Sequence, residues 1–169
     1  MLKMFTTQLT GLFKRIADKG EFSFEDGARL LAQAPVGDGK IYLFATKEMK
    51  AVEFEALEGA ETLKYAKAFV SASELTDADR VLIFTRYSTD KAALELAAQL
   101  REKEIPFMAV CTVVDDQEWA DVHIDLGLKQ GLLPDDSGNR YGYPSSMAAL
   151  YAYYGLKFTI DEILEEYEL

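Results

Sequence analysis

One turn of the sequence combines several hydroxyl groups with the start of a helix. Residues 81–84 before it are apolar without alternation, which is typical of a strand buried on both faces of a parallel sheet. Thr85, Ser88 and Thr89 follow, and the pattern behind them is that of a helix with one buried stripe. Free N–H groups at a helix N-terminus bind anions. The turn therefore predicts a phosphate site or, in the alternative interpretation, hydroxyls that only cap the helix.

A second turn follows the apolar run at residues 41–45 and precedes another helical pattern. Strand, short turn, helix and strand in succession predict parallel pairing, and the carboxyl ends of parallel strands lie at one edge of the sheet. A ligand crevice forms at that edge where the strand order reverses, so we expect the two turns to flank one crevice. The candidate ligand-binding residues are Thr46, Lys47, Thr85, Arg86, Tyr87, Ser88, Thr89 and Asp90.

Two further groups of residues could carry chemistry but have a plainer interpretation. Asp121, His123 and Asp125 alternate along one predicted strand and either bind a metal ion or form the solvated face of an edge strand. The solvated face is the preferred interpretation, and no metal site is predicted. Cys111 has no neighbouring base in the sequence, so we expect a buried apolar residue rather than a nucleophile.

A long loop near the C-terminus carries isolated charges and several aromatic residues. Lys129 and Arg140 bracket this loop and either reach an anion or remain solvated. The tyrosines of the same region either stack on a sugar or pack in the core or in a subunit interface. These tyrosines are Tyr141, Tyr143, Tyr151, Tyr153 and Tyr154.

Composition excludes several classes of partner. The net charge of −11 argues against nucleic acid and anionic membranes, because both require a basic face. The single cysteine permits no internal disulfide, so nothing indicates an oxidising compartment. No run approaches the roughly 20 apolar residues of a membrane span, and no signal-peptide core is present. We therefore expect a cytoplasmic protein without a nucleic-acid or membrane partner.

Apolar runs and helical periodicities alternate along residues 1–169 and predict a single domain. Residues 1–35 are expected to form two helices, at 2–18 and 23–34, which pack on the domain or on a second subunit. A buried helix is expected to begin at Ser145 or Ser146, and a last one at the capping box of Thr159 and Glu162. The order predicts an α/β three-layer sandwich with a five-stranded parallel sheet. The predicted strands lie at 41–45, 69–70, 81–84, 107–112 and 122–126.

Three stretches of the chain resemble the sugar isomerase (SIS) domain family. Gly39-Lys-Ile-Tyr-Leu-Phe-Ala is similar to its first strand, residues 79–90 to its D-x-x-I-x-x-S-x-S-G-x-[ST] strand and loop, and Ala120-Asp-Val-His-Ile-Asp to its final strand. The chain looks closest to a little-characterised bacterial branch labelled as phosphoheptose isomerases. The resemblance implies a flavodoxin-like SIS fold, a homodimer or homotetramer, and a small phosphorylated sugar or related anion bound by the Ser/Thr loop.

The chain departs from the family's pattern at both turns. Residues 45–49 read Ala-Thr-Lys-Glu-Met where the family has Gly-x-Gly-x-Ser, which removes glycines that let the backbone approach a ligand closely. Tyr87 replaces the second Ser of the other motif, and Asp90 stands where a phosphate-binding Ser or Thr is expected. Aldose–ketose isomerisation needs a positioned base and usually a second acid–base group. Related isomerases use a glutamate and a histidine, and the catalytic candidates here are Glu48, Glu53 and His123.

These patterns favour an SIS-like phosphosugar-binding module that is non-catalytic or regulatory and uses no cofactor. One alternative is a phosphosugar aldose–ketose isomerase of the phosphoheptose type. The other is a degenerate SIS scaffold that acts in protein assembly through its apolar helices.

Overall fold

Four α-helices and seven strands make up the fold, and the computed structural model describes all residues from 1 to 169. The helices are α1 (Leu2–Val36), α2 (Lys50–Glu58), α3 (Lys91–Glu102) and α4 (Ser145–Glu166). The strands are β1 (Ile41–Ala45), β2 (Ala66–Ala68), β3 (Arg80–Tyr87), β4 (Phe107–Thr112), β5 (Val122–Asp125), β6 (Leu133–Pro134) and β7 (Arg140–Tyr141). Short 3₁₀ turns lie at Lys47–Met49 and Ala72–Glu74.

The first five strands form one parallel sheet in the order β2-β1-β3-β4-β5. β3 and β4 lie inside the sheet, and their unbroken apolar sequence is buried on both faces, as such a run predicts. β5 is an edge strand, which confirms the prediction from its alternating polarity. A separate antiparallel hairpin pairs β6 with β7.

Helices cover both faces of the sheet. Successive side chains of a strand point to opposite faces. Leu82 and Phe84 therefore pack in a large apolar cluster with α1, α2 and α4, while Val81 and Ile83 pack in a smaller cluster with α3. This arrangement confirms the predicted α/β three-layer sandwich with a five-stranded parallel sheet.

The N-terminal segment is one helix, α1, and the prediction of two helices at 2–18 and 23–34 is wrong. Ser23 lies inside α1 and makes no capping hydrogen bond. Gly27 is buried against the side chain of Met108, where an added Cβ would lie 2.7 Å from the terminal methyl carbon. Glycine at this position therefore lets α1 pack closely on the sheet and does not end the helix.

The C-terminal segment is also one helix, so the predicted capping box of Thr159 and Glu162 does not begin a new one. The hydroxyl of Thr159 donates to the carbonyl of Gly155 at 3.1 Å, a bond that threonine makes in helix interiors. Ser145 lies at the start of α4, as predicted, but its side chain makes no capping hydrogen bond. No helix of the fold combines the length and the apolar character needed to cross a membrane.

The second strand is displaced from its predicted position. β2 comprises Ala66–Ala68 rather than residues 69–70. The N–H of Phe69 still donates to the carbonyl of Leu43 on β1 at 2.8 Å, so the pairing runs just past the assigned strand. The prediction was based on the apolar character of residues 69–70, whereas backbone pairing with β1 determines where the strand lies.

Candidate functional site

The carboxyl ends of β1 and β3 meet at one edge of the sheet, where the two predicted turns lie. Ala45 of β1 pairs with Phe84 of β3, so the next residues of both strands are neighbours. The hydroxyl oxygens of Thr46 and Thr85 are 3.0 Å apart. The register of two parallel strands thus brings the turns together, as their order in the sequence predicts.

Asp90 accepts hydrogen bonds from two donors of the turn that was predicted to bind an anion. The hydroxyl of Thr85 donates to Asp90 Oδ2 at 2.5 Å, and the N–H of Tyr87 donates to the same oxygen at 3.3 Å. Thr85 is fully buried, and because its proton goes to Asp90, it is Thr46 that donates to Thr85. The carboxylate of Asp90 therefore occupies this end of the turn and does not cap α3.

The side chain of Ser88 is hydrogen-bonded to the loop that follows β4. Its hydroxyl accepts from the N–H of Val114 at 2.9 Å and donates to the carbonyl of the same residue at 3.0 Å. Ser88 is fully buried, and its own carbonyl accepts from Trp119 Nε1 at 2.8 Å. Thr89 is exposed and its hydroxyl has no protein partner. The predicted phosphate site rested on three hydroxyls, and two of them, those of Thr85 and Ser88, are thus hydrogen-bonded within the protein.

Arg86 and Glu48 form a two-point ion pair across the crevice. Arg86 Nε donates to Glu48 Oε1 and Arg86 Nη2 donates to Glu48 Oε2, both at 2.7 Å. Ser145 at the start of α4 donates to Glu48 Oε1 at 2.6 Å. The pKa of Glu48 is lowered to about 2, mainly by the hydrogen bond from Arg86. The hydrogen bond from Ser145 acts in the same direction. Glu48 is therefore ionised at neutral pH.

Two tyrosines close the side of the crevice next to this pair. Tyr87 and Tyr143 have their hydroxyl oxygens 2.8 Å apart, and their rings meet edge to face with centroids 6.5 Å apart. Tyr143 donates to the carbonyl of Leu128, so Tyr87 is the donor to Tyr143. Burial is the main cause that raises the pKa of Tyr143, followed by the hydrogen bond with Tyr87. The phenol of Tyr143 therefore remains protonated at neutral pH.

A cavity of about 420 Å³ lies between these groups, lined by Glu48, Arg86, Tyr87, Tyr143 and Ser145. A guanidinium carries five N–H donors, of which Arg86 gives two to Glu48. Its three other N–H groups are left for a ligand, and the ion pair holds the planar group in one orientation. Aromatic faces beside fixed donors suit a polar ligand such as a sugar.

The other two catalytic candidates lie apart from this cavity. His123 Nε2 accepts the N–H groups of Trp119 and Ala120 at 2.8 and 2.9 Å, so this nitrogen holds the 119–120 turn. Burial lowers the pKa of His123 in spite of the attraction from nearby carboxylates. Glu53 lies on α2 without a side-chain hydrogen bond and does not line the cavity. The structure therefore brings only Glu48 of the three candidates into the crevice.

The acidic neighbours of His123 also bond to the backbone. Asp121 accepts from the N–H of Phe107 at 2.9 Å, and Asp125 accepts from Val113 and Gly127 at 3.0 and 2.8 Å. No group of three or more His, Cys, Asp or Glu side chains is placed to hold a metal ion. These carboxylates fix the ends of β4 and β5.

Cys111 lies inside β4 and is fully buried. Burial raises the pKa of its thiol to about 12, which leaves almost no thiolate at neutral pH. The Sγ atom lies 4.0 Å from His123 Nδ1. The residue therefore behaves as the buried apolar side chain that the sequence suggested.

Tyr143 and Ser145 line the cavity, although the sequence pointed to Tyr143 only as one of several tyrosines for sugar stacking or packing, and to Ser145 only as the start of a helix. Ser145 lies 97 residues from Glu48, and Tyr143 lies 56 residues from Tyr87, so no local spacing connects them.

Lys47 is exposed and adopts a left-handed backbone with φ of 51°. This position is in the turn where the sequence lacks the family's glycines, and the backbone keeps a conformation that glycine would adopt more easily.

Comparisons with known proteins bear on both the family and the fold. The family described as a domain of unknown function, DUF2529, matches residues 1–164. The uncharacterized protein YwjG of Bacillus subtilis (strain 168) is 48% identical over 172 residues, and the alignment covers 99% of each chain.

Solved structures with the same fold are more distant in sequence. NanR of Vibrio vulnificus, complexed with ManNAc-6P, has a TM-score of 0.69 at 13% identity and covers 96% of this chain and 62% of its own. A phosphoheptose isomerase from Francisella tularensis has a TM-score of 0.67 at 11% identity, covering 94% of both. The sugar isomerase domain of the RpiR transcription factor from Sphaerobacter thermophilus has a TM-score of 0.61 at 10% identity, covering 99% and 97%. The chain thus has the SIS fold, as predicted, and belongs to the DUF2529 family.

Proposed function

We propose that this chain is a cytoplasmic SIS module that binds a phosphorylated sugar, or a related anion, in the crevice between the ends of β1 and β3. It acts as a sensor or regulatory subunit rather than as an isomerase. Two proteins that share its fold support this proposal. The structure of NanR is a complex with ManNAc-6P, which supports a phosphosugar as the class of ligand. RpiR is a transcription factor with a sugar isomerase domain, which supports a regulatory role.

The observation that carries the proposal is the orientation of Arg86 in the crevice. Its Nε and Nη2 edge is bonded to Glu48, which leaves the two terminal nitrogens with three N–H groups for a phosphate or for sugar hydroxyls. Bidentate binding of phosphate by a guanidinium is geometrically specific as well as strong. Thr89 and Lys47, both exposed on the two turns, are further candidates to contact the ligand. Thr85 and Ser88 are left out, because their hydroxyls already have protein partners.

Catalysis is disfavoured by the state of the one carboxylate in the cavity. An efficient general base has a pKa near the working pH, whereas that of Glu48 is about 2 and both of its oxygens already accept hydrogen bonds. His123 is bonded to the backbone of the 119–120 turn and does not line the cavity. No carboxylate–histidine pair, as used by the isomerases that the chain resembles, therefore lines the cavity.

The test is thermal stabilisation by a panel of sugar phosphates, followed by calorimetric titration of any that bind. A ligand at about a hundred times its Kd stabilises the native state by roughly 2.7 kcal/mol. Arg86→Gln should weaken binding at least tenfold, since a hydrogen bond to a charged group contributes about 1.5–3 kcal/mol. Arg101→Gln, the same change on the exposed side of α3, should leave binding unchanged. The absence of any stabilisation across the panel would favour the degenerate scaffold instead.

A second measurement separates binding from isomerisation. Each sugar phosphate that binds is incubated with the protein in D₂O and followed by NMR. We expect no deuterium at C1 or C2, because no base of suitable pKa faces the cavity. Enzyme-dependent exchange that is lost in Glu48→Gln would establish the isomerase alternative.

The proposed module assembles as a homodimer or homotetramer through α1 and α4. Met147, Tyr151 and Phe158 are exposed on α4, and an apolar cavity of about 510 Å³ lies between this side of α4 and Phe24 of α1. Apolar surface of this kind is buried in subunit interfaces. Sedimentation of the intact chain tests the assembly. Phe158→Glu should dissociate it, whereas Phe22→Glu, at an exposed residue outside the cavity, should not.

A further inference from the structure

The charged residues that line a second cavity, separate from the crevice, are all basic. It has a volume of about 270 Å³ and lies between α1 and the loop that follows β5. Arg15, Lys129 and Arg140 line it, and no carboxylate does. Three basic residues and no acidic residue around one cavity are unexpected on a chain with a net charge of −11, where acidic residues outnumber basic ones by 29 to 18. Asp125 bonds to the N–H of the lining residue Gly127 at 2.8 Å, but its carboxylate does not line the cavity, and exposed charges more than about 8–10 Å away are largely screened.

Arg140 is held in place by neutral groups. Its Nε donates to the carbonyl of Gly131 at 2.8 Å and its Nη2 to the carbonyl of Leu132 at 2.6 Å. Two of its five N–H donors are thereby used, three remain, and the charge is not neutralised. Arg86 in the crevice is oriented by the carboxylate of Glu48 instead, which offsets its charge. An oriented guanidinium without a counter-ion is the stronger attractor of an anion.

Helix α1 and the 127–132 loop form the walls of this cavity. Gln8, Leu12 and Arg15 lie at helical spacing on one side of α1, and the burial of Leu12 fixes that side against the domain. Gly131 passes close to the β6–β7 hairpin, where an added Cβ would lie 2.4 Å from the carbonyl oxygen of Tyr141. The close approach keeps the 127–132 loop and Arg140 together on one side of the cavity.

We propose that this basic cavity binds a phosphate group, either as inorganic phosphate or at the end of a small phosphomonoester. Arg140 supplies a two-point contact, Lys129 and Arg15 supply positive charge, and the amides of Gln8 and Gln130 suit hydroxyls of an attached organic group. The site does not depend on the proposed phosphosugar crevice. The two cavities are neighbours, since Leu128 lines this one and its carbonyl accepts from Tyr143 of the crevice, but they share no charged side chain.

The experiment is calorimetric titration of the full chain with inorganic phosphate and, separately, with glycerol 3-phosphate at low ionic strength. Arg140→Gln should weaken binding at least tenfold, because a charge-assisted two-point contact is lost. Lys129→Gln, at an exposed loop residue with no hydrogen bond to maintain the fold, should weaken it several-fold. The matched control is Lys14→Gln, which removes the same charge beside Arg15 but outside the cavity. It should leave the affinity unchanged.

Arg86→Gln distinguishes this site from the crevice. Binding of either probe that is insensitive to Arg86→Gln and weakened by Arg140→Gln and Lys129→Gln supports the proposal. Tighter binding of glycerol 3-phosphate than of inorganic phosphate identifies a phosphomonoester as the ligand, and equal binding identifies phosphate itself. The proposal is overturned if neither probe shows saturable binding, if Lys14→Gln weakens binding as much as Lys129→Gln, or if only Arg86→Gln weakens it.

Discussion

Arg86 and Glu48 join three elements of the fold through a single carboxylate. Arg86 Nε and Nη2 each donate to Glu48 at 2.7 Å, and Ser145 donates to Glu48 Oε1 at 2.6 Å. The arrangement connects the turn after β1 with the end of β3 and with the first turn of α4. It holds Arg86 in one orientation and keeps Glu48 ionised. Glu48 is therefore a positioning residue in the proposed ligand site.

The contribution of Glu48 to stability should depend on pH. Because the pKa of Glu48 is lowered from 4.5 to about 2 in the folded protein, its stabilisation is fully present above pH 4.5. It is lost as the pH falls towards 2. Glu48→Gln should lower the free energy of unfolding at pH 7 by up to about 1 kcal/mol, since the pair is partly exposed and screened. Urea unfolding at pH 7 and at pH 3 measures this difference.

Glu53→Gln provides the control for this measurement. Glu53 lies on the adjoining helix α2 and makes no side-chain hydrogen bond, so its replacement should change the stability little at either pH. A loss of stability in Glu48→Gln that is as large at pH 3 as at pH 7 would contradict the role of the ionised carboxylate.

Ser88→Ala should destabilise the fold rather than act on a ligand. The hydroxyl of Ser88 satisfies both the N–H and the carbonyl of Val114, and Ser88 is fully buried. Removing it leaves these groups without a partner, which costs about 1–3 kcal/mol. Thermal or urea unfolding measures the loss. Thr89→Ala, one residue on and exposed, should change the stability by less than about 0.5 kcal/mol.

The sheet could be predicted because its central strands show their burial locally. All six residues of β4 are buried, and residues 81–85 of β3 are buried without interruption, which appears in the sequence as the apolar runs 107–111 and 81–84. The continuity of α1 could not be predicted in this way. The predicted break between residues 18 and 23 depended on Ser23 as a helix cap, and the local sequence does not show whether a serine caps a helix or lies inside one. Only the tertiary structure supplies that information.

The place of the candidate site was predictable, but the partners of its side chains were not. The pairing of Ala45 with Phe84 puts both turns at one edge, as expected for parallel strands. Ser88, however, bonds to Val114 across 26 residues, and Glu48 bonds to Ser145 across 97. The sequence alone does not show whether a hydroxyl in a turn is free to bind a ligand or is hydrogen-bonded within the protein.

The 119–120 turn should loosen in acid because of His123. Nε2 of His123 can accept the N–H groups of Trp119 and Ala120 only when the imidazole is neutral. Since burial lowers the pKa of His123 in the folded protein, its stabilisation is present above the ordinary value of 6.5 and is lost as the pH falls through the lower folded value. The fluorescence of Trp119, the single tryptophan, should report this change.

His123→Gln tests the assignment, because His123 is the only histidine of the chain. Its replacement should remove the pH dependence of the tryptophan signal below neutrality. The remaining groups that face His123 are Cys111, Glu118 and Asp125. A signal that still changes between pH 7 and pH 5 in His123→Gln would show that another group is responsible.

Lys47→Gly should maintain or raise stability, in contrast to most replacements by glycine. Lys47 has a φ of 51°, a left-handed conformation that costs a residue with a side chain roughly 1–2 kcal/mol and costs glycine little. The greater freedom of glycine in the unfolded chain offsets about 0.5–1 kcal/mol of this gain. Lys50→Gly is the matched control, because Lys50 has a φ of −57° and begins α2. It should lower the free energy of unfolding by a few tenths to about 1 kcal/mol. If both replacements lower it equally in urea unfolding, the backbone at Lys47 is not strained.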